Sequence, residues 1–341
     1  MVATVDPAFA GLPVSRHEAA CASGSMALLG AMADLESGRY DVALVVGAEV
    51  LRNVGGRRAG ELLAVSMWNG REAVGHPFPW PCLFAEVADE YDRRWGIDGA
   101  HLSRIAELNF DNARHNPNAQ TRDLTIPDGW FTQDDTANPT VVGHLRQSDC
   151  SRVTDGAAGV ILASRRFAEE CTRRRGTDVA ELPLIKGWAH RTAPMLLKEK
   201  FRLSRGEPYV FPHLRRAFED VLQRAELPDP RAIDTIELHD CFTIAEYAAL
   251  DHLGLVEPGK VWQLIEDGTI EPKGALPVNP SGGLLGGGHP VGATGIRMLL
   301  DAAKQVSGTA GDYQVDGARN AMTFNVGGSF TTVAAFVVGV G

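Results

Sequence analysis

Continuous apolar runs of strand length, each handed on to a helical pattern, constrain this chain more than any other feature. Asp41-Val42-Ala43-Leu44-Val45-Val46-Gly47-Ala48-Glu49 does not alternate, so it reads as a strand buried on both faces. Ala157 to Ala163 reads the same way, and Leu184 to Ala189 and Ile233 to Leu238 add further strands. Helical patterns run from about Gly24 to Ser37, Phe211 to Ala225, Thr243 to Leu253 and Pro290 to Val306. Two more strands, Ala321 to Val326 and Thr331 to Val338, complete the pattern. Strands alternating with helices predict α/β layers built on a mostly parallel sheet. Sites in such folds gather at the carboxyl ends of strands.

From about 50 to 147 the alternation is interrupted by turn residues and by two amphipathic helices, near Cys82 to Trp95 and His101 to His115. This reads as an insertion crossing the top of the sheet. The charged stretch Arg173 to Glu181 reads as a linker, giving an N-terminal half, 1–172, and a C-terminal half, 173–341. Arg173-Arg174-Arg175 ends a helix and faces solvent. A faint internal echo joins the halves: Glu18-Ala19-Ala20-Cys21 and Glu237-Leu238-His239-Asp240-Cys241 each take a strand through a cysteine into a helix.

The formal net charge of −10 argues against nucleic acid, whose phosphates demand a basic surface. No apolar stretch is long enough to span a bilayer. Met1 to Ala10 holds Asp6 and Pro7 without a basic start, unlike a signal peptide. Val338-Gly339-Val340-Gly341 carries no peroxisomal or retention signal. The five cysteines, at 21, 82, 150, 171 and 241, are odd in number and irregularly spaced, which fits a reducing, cytoplasmic setting rather than a disulfide framework.

Four groups carry chemistry. Cys21 lies just before a helix, where unpaired N–H groups and partial positive charge lower a thiol's pKa. On its own it reads equally as a buried, inert cysteine. His289 follows Gly286-Gly287-Gly288 and precedes Pro290, a good first helical residue. It reads as a loop-tip histidine, catalytic or simply solvated. The run lacks a P-loop lysine and the dinucleotide glycine spacing. His239-Asp240-Cys241-Phe242 sits at a strand end, where His239 and Cys241 can share a cleft; no second Cys/His pair stands at zinc-ligand spacing, and no metal site is expected. Asn325-Val326-Gly327-Gly328-Ser329 offers backbone N–H groups for half an oxyanion hole, or a plain connection between strands.

Together these residues resemble the thiolase superfamily nearly from end to end. Cys21-Ala22-Ser23-Gly24 resembles the nucleophile loop. Asn279 to Gly283, Gly288-His289-Pro290 and Gly292-Ala293-Thr294-Gly295 resemble its long, highly specific signature. Asp155-Gly156-Ala157-Ala158 and Asn116-Pro117-Asn118-Ala119-Gln120 match stretches common in the family. Ordinary thiolases carry Asn-Glu-Ala-Phe where this chain has His239 to Phe242, and a second cysteine where it has Asn325. The His-Asp-Cys-Phe form resembles sterol-carrier-protein-2 type thiolases and the related acetyl-CoA acetyltransferases, in which that cysteine is the acid/base. The family also has a strand–helix–strand unit before the nucleophile loop. Here Cys21 comes almost at once, so the N-terminal sheet is expected to lack strands.

The resemblance implies a fold of two related βα halves in stacked α-β-α-β-α layers. It implies an acyl-CoA C-acyltransferase, cleaving 3-ketoacyl-CoA with CoA as in fatty-acid β-oxidation, or running the reverse Claisen condensation. Cys21 would be the nucleophile, His289 its base and Cys241 the acid/base. His239 and His289 would hold the enolate oxyanion, and the N–H groups of Cys21 and Gly327 the tetrahedral one. No cofactor is implied, since CoA enters as a substrate. Its phosphates need basic contacts, for which Arg71, Arg114 and Arg146 remain open. A homodimer or homotetramer is expected. The rivals are an aldol lyase acting on steroid side-chain CoA esters, which needs no cysteine nucleophile, and a non-catalytic subunit needing a partner protein chain.

Overall fold

The computed structural model describes residues 2–340; Met1 and Gly341, at the two ends read for targeting signals, lie outside them. A short helix, α1 (Val2–Val5), and irregular chain lead to α2 (Ser23–Glu36) and β1 (Val42–Glu49). Then come α3 (Gly56–Leu63), α4 (Pro79–Trp95), α5 (Gly99–Ala113) and a small hairpin, β2 (Thr140–Val142) with β3 (Leu145–Arg146). β4 (Gly156–Ala163) and α6 (Arg165–Arg175) follow. The later part runs β5 (Leu184–Thr192), α7 (Leu197–Leu203), α8 (Pro212–Arg224), β6 (Thr235–Leu238), α9 (Thr243–Leu253) and α10 (Trp262–Glu266). It closes with α11 (Gly283–Gly287), α12 (Thr294–Val306), β7 (Asn320–Gly327) and β8 (Thr332–Gly339).

Sheets and helices stack in layers as expected, but among the described residues no helix covers the outer face of β1 and β4, and the strands are not mostly parallel. β1 pairs antiparallel with β4, Val42 facing Ala163 and Glu49 facing Gly156. The second sheet has the order β5-β8-β7-β6, and only β6 and β7 run parallel. The physical reason is the short link from Gly327 to Thr332: four residues suffice for a hairpin and are too few for a parallel crossover. Phe330 takes a left-handed φ of 60° within it.

Helices α2 and α12 lie between the two sheets. Leu28 and Met32 of α2, Ile296 and Leu299 of α12, Val45 of β1 and Phe336 of β8 form one buried cluster. Gly295 lets α12 approach this closely; a Cβ there would lie 2.3 Å from Ser25 Oγ. On the far side of the four-stranded sheet, α8 and α9 pack with α4 and α5 of the 50–147 segment around Phe84, Phe211, Phe218 and Tyr247. The Arg173–Glu181 stretch is the end of α6 and a 3-10 turn at Val179–Glu181, with its three arginines exposed as expected.

The strands read as buried on both faces are buried on one. Val45 and Gly47 of β1 point inward, whereas Leu44 and Val46 are 51% and 53% exposed and Ile161 of β4 is 71% exposed. No strand precedes Cys21 among the described residues, only a bridge between Ala19 and Cys21.

Candidate active site

The nucleophile loop is a tight, clamped turn. Ala20 adopts φ 52°, an unfavourable region for a residue with a Cβ. Ser23 Oγ holds it there, donating to Ala20 O at 2.7 Å and accepting from Ala19 N at 2.9 Å. α2 begins at Ser23, so Cys21 does precede a helix. The expected fall in its pKa does not occur. Burial pushes the Cys21 thiol up to about 12, with Glu49 and Glu18 adding to it, and its own backbone N–H only partly offsets this. A helix terminus contributes about 0.3–1 kcal/mol, less than one pKa unit. Stripping water from a thiolate outweighs that. At rest Cys21 is a neutral thiol.

His289 is not a loop-tip residue; it is 4% exposed. Its carbonyl accepts from Thr154 N at 3.4 Å, and Pro290 is extended, with the helix starting only at Thr294. Nδ1 lies 2.7 Å from Thr294 Oγ1, whose single hydrogen goes to Pro290 O at 3.0 Å. Nδ1 must therefore be the donor, and Nε2 keeps a lone pair. Burial, then the charge of Arg297, lowers this imidazole to about 3. It is a neutral base.

His239 sits at the end of β6, 1% exposed, with its ring edge-on to His289 at 5.3 Å. Burial, then the charges of His289 and Arg297, keeps it well below the usual histidine range. Its Nδ1 meets the Asn325 amide at 2.9 Å. That amide is best satisfied with its oxygen toward Nδ1 and its nitrogen toward Cys21 O (3.2 Å) and Ser25 Oγ (2.8 Å). One ligand-capable atom each of Cys21, His239 and His289 lies within 4.8 Å of the others. Cys241 is buried beside them, its thiol pushed well above its ordinary pKa by burial and then by the charges of Cys21 and Asp240. Its carbonyl is fixed by Ser151 N at 3.0 Å.

The late glycine loop reaches the same place. Gly327 packs so closely on the nucleophile turn that a Cβ would lie 2.2 Å from Ala19 O. Buried carboxylates hold the other pieces. Asp240 accepts from Leu284 N (2.6 Å) and Leu285 N (3.0 Å), fastening α11 to the end of β6. Glu237 binds Ser281 Oγ at 2.6 Å, and Leu238 N donates to Asn279 Oδ1 at 2.7 Å. Thr121 and Gln120 N–H groups donate to Gly286 O and Gly287 O, so the 116–120 stretch supports the histidine loop. Asp155 accepts from Leu51 N and Arg52 N at 2.7 and 2.8 Å.

The motifs thus converge as the sequence implied. Missed were Asn325 and Thr294 as orienting groups for the two rings. The signal for two supporting carboxylates was legible: Glu237 stands inside an apolar strand, and Glu246, which accepts from Asn109 Nδ2 and Asn279 Nδ2 at 2.7 Å each, stands in a helical run otherwise rich in Ala and Leu. Of the three arginines left open, Arg146 is engaged by Gln133, Asp135 and Asn138 O, Arg71 stacks on Trp68 at 4.9 Å, and Arg114 lies 3.7 Å from Asp111.

Residues 8–166 match the thiolase N-terminal domain model and residues 198–340 the thiolase C-terminal domain-like model. An acetyl-CoA acetyltransferase of Methanothermobacter thermautotrophicus is 34% identical over 96% of this chain and 80% of its own length. Human sterol carrier protein 2 is 28% identical over 96% of this chain, the match spanning 59% of that protein. Among solved structures, an Ltp2–ChsH2(DUF35) aldolase shares the fold with a TM-score of 0.71 at 21% identity, covering 95% of this chain and 78% of that one. No described helix is long and apolar enough to cross a membrane. With the nucleophile loop, the His-Asp-Cys-Phe strand end and the glycine signature meeting at one point, the chain belongs to the thiolase family.

Proposed function

We propose that this chain is an acyl-CoA C-acyltransferase that cleaves 3-ketoacyl-CoA with CoA, or runs the reverse condensation, through a thioester on Cys21. The observation that carries the reading is the Cys21 sulfur beside an imidazole whose tautomer leaves Nε2 as a base. The Cys21 proton passes to His289 as sulfur attacks C3 of the substrate. The N–H groups of Cys21 and Gly327 hold the tetrahedral oxyanion. The C2–C3 bond breaks, its electrons pass to C2, and Cys241 protonates the departing acetyl-CoA enolate there. His289, now carrying Nε2–H, holds the enolate oxygen. His239 joins it when its single ring proton shifts from Nδ1 to Nε2 and the Asn325 amide turns its nitrogen to Nδ1, with Ser25 Oγ donating to the amide oxygen at 2.8 Å. The Cys241 thiolate then deprotonates CoA, whose sulfur attacks the acyl group. Cys21 leaves and recovers its proton from His289.

The aldol-lyase alternative leaves both thiols without a task. Mixing the protein with acetoacetyl-CoA and CoA tests the reading. The expected result is loss of acetoacetyl-CoA with two acetyl-CoA formed per turnover, and no loss would reject it.

A further inference from the structure

The group Cys21, His239 and His289 has a capacity that acyl transfer leaves unused. A tetrahedral zinc ion, about 2.3 Å from sulfur and 2.0–2.1 Å from nitrogen, holds such ligand atoms roughly 3.4–3.6 Å apart. The three atoms already lie within 4.8 Å of one another, so small side-chain rotations bring them onto one ion. The rings are also oriented as ligands are. A metal-binding histidine donates its far N–H to an oxygen that fixes tautomer and direction. His289 does this to Thr294 Oγ1 and His239 to the Asn325 amide oxygen, each of those oxygens being anchored in turn. Among the described residues no hydrogen bond occupies either Nε2. Arg297, whose charge reaches both rings, is engaged by Ser281, Gly283 O and Asp301. Glu49 and Glu18 place negative charge near Cys21, which favours an incoming cation. Spacing along the chain could not show this set, because its members stand at positions 21, 239 and 289.

We propose that a borderline-soft divalent cation of the zinc class binds Cys21 Sγ, His239 Nε2 and His289 Nε2 in the substrate-free protein and blocks it. The thiol proton leaves to solvent, a sulfur lone pair enters the metal bond, and water fills the fourth position. No electron changes hands. The ion occupies the nucleophile and its base together, so it competes with acylation, and an acylated Cys21 cannot hold it. Blockade rests on the reaction proposed above, whereas binding needs only the three side chains.

Cobalt(II) is the probe. Chelator-treated full-length protein titrated anaerobically with Co2+ should develop a thiolate-to-metal charge-transfer band and tetrahedral visible bands, saturating at one equivalent. The charge-transfer band should vanish in Cys21→Ser, and both sets should weaken in His289→Asn, with circular dichroism confirming that each variant is folded. Prior acetyl-CoA should suppress the bands. Zn2+ should displace the cobalt and abolish turnover, and chelator should restore it. A band that survives in Cys21→Ser, or no band in the wild-type protein, overturns the site. A one-equivalent band in a protein that never turns over acetoacetyl-CoA supports the site and rejects the reaction instead.

Discussion

Cys21 and Cys241 are both protonated at rest, and the proposed chemistry asks different things of them. Cys21→Ala should abolish acyl-enzyme formation with the fold intact. Intact-protein mass spectrometry after acetyl-CoA reads this, and acetylation at the wild-type level would remove Cys21 from the mechanism. Cys241→Ser should still acylate at Cys21 but turn over about 10²–10⁴-fold more slowly, because one thiol serves both proton transfers. If Cys241 only fills space beside Phe242, serine will be nearly silent in steady-state thiolysis. These residues were legible because each stands in a short motif. The orienting role of Asn325 was not, because a hydrogen bond from residue 325 to residue 239 leaves no local trace in the sequence, and that of Thr294, although it stands five residues from His289 in the same motif, depends on the turn between them. The direction of the Cys21 shift is hidden for a related reason: the helix that follows is visible in sequence, and the burial that overrides it is not.

Among the elements, α9 runs from Thr243 to Leu253, as its pattern indicated, because Gly254 in the left-handed region stops it. Strand direction was less legible. A continuous apolar run reports burial without naming its neighbours, and only the four-residue link between β7 and β8 sets them antiparallel. A buried amine steadies that link from α7. Lys200, 3% exposed, donates to Met195 O (2.8 Å), Ser329 Oγ (3.2 Å) and Thr331 Oγ1 (3.0 Å). Burial lowers its pKa to about 7, against a weaker opposing pull from Glu72. From there up to the ordinary value of 10.5 the unfolded chain keeps a proton that the folded chain has released. Stability therefore rises with pH through this window, and below about 7 the folded state bears the full cost of a buried ammonium. Lys200→Met should remove the effect. The wild-type stability minus that of the variant, from urea unfolding, should grow by about 1–3 kcal/mol between roughly pH 7 and pH 9. A flat difference would mean that the amine stays charged in the fold.

At the scale of the molecule, the α2–α12 layer is enclosed by a sheet on each side, but the β1–β4 sheet presents Leu44, Val46 and Ile161 outward. A two-stranded sheet with an open apolar face and open edges invites a partner. The expectation of self-association therefore rests on this face. Light scattering should find at least a dimer, and Leu44→Lys should shift it toward monomer. A stable, active wild-type monomer would refute this. The ring-orienting amide brings one further consequence. Ser25 and Asn325, which share a hydrogen bond beside Cys21, are 300 residues apart. A ribosome makes the sulfur early and its companions late. Until residues 239, 289 and 325 have been added, the nascent thiol lacks its base, its second ring and the amide that orients it.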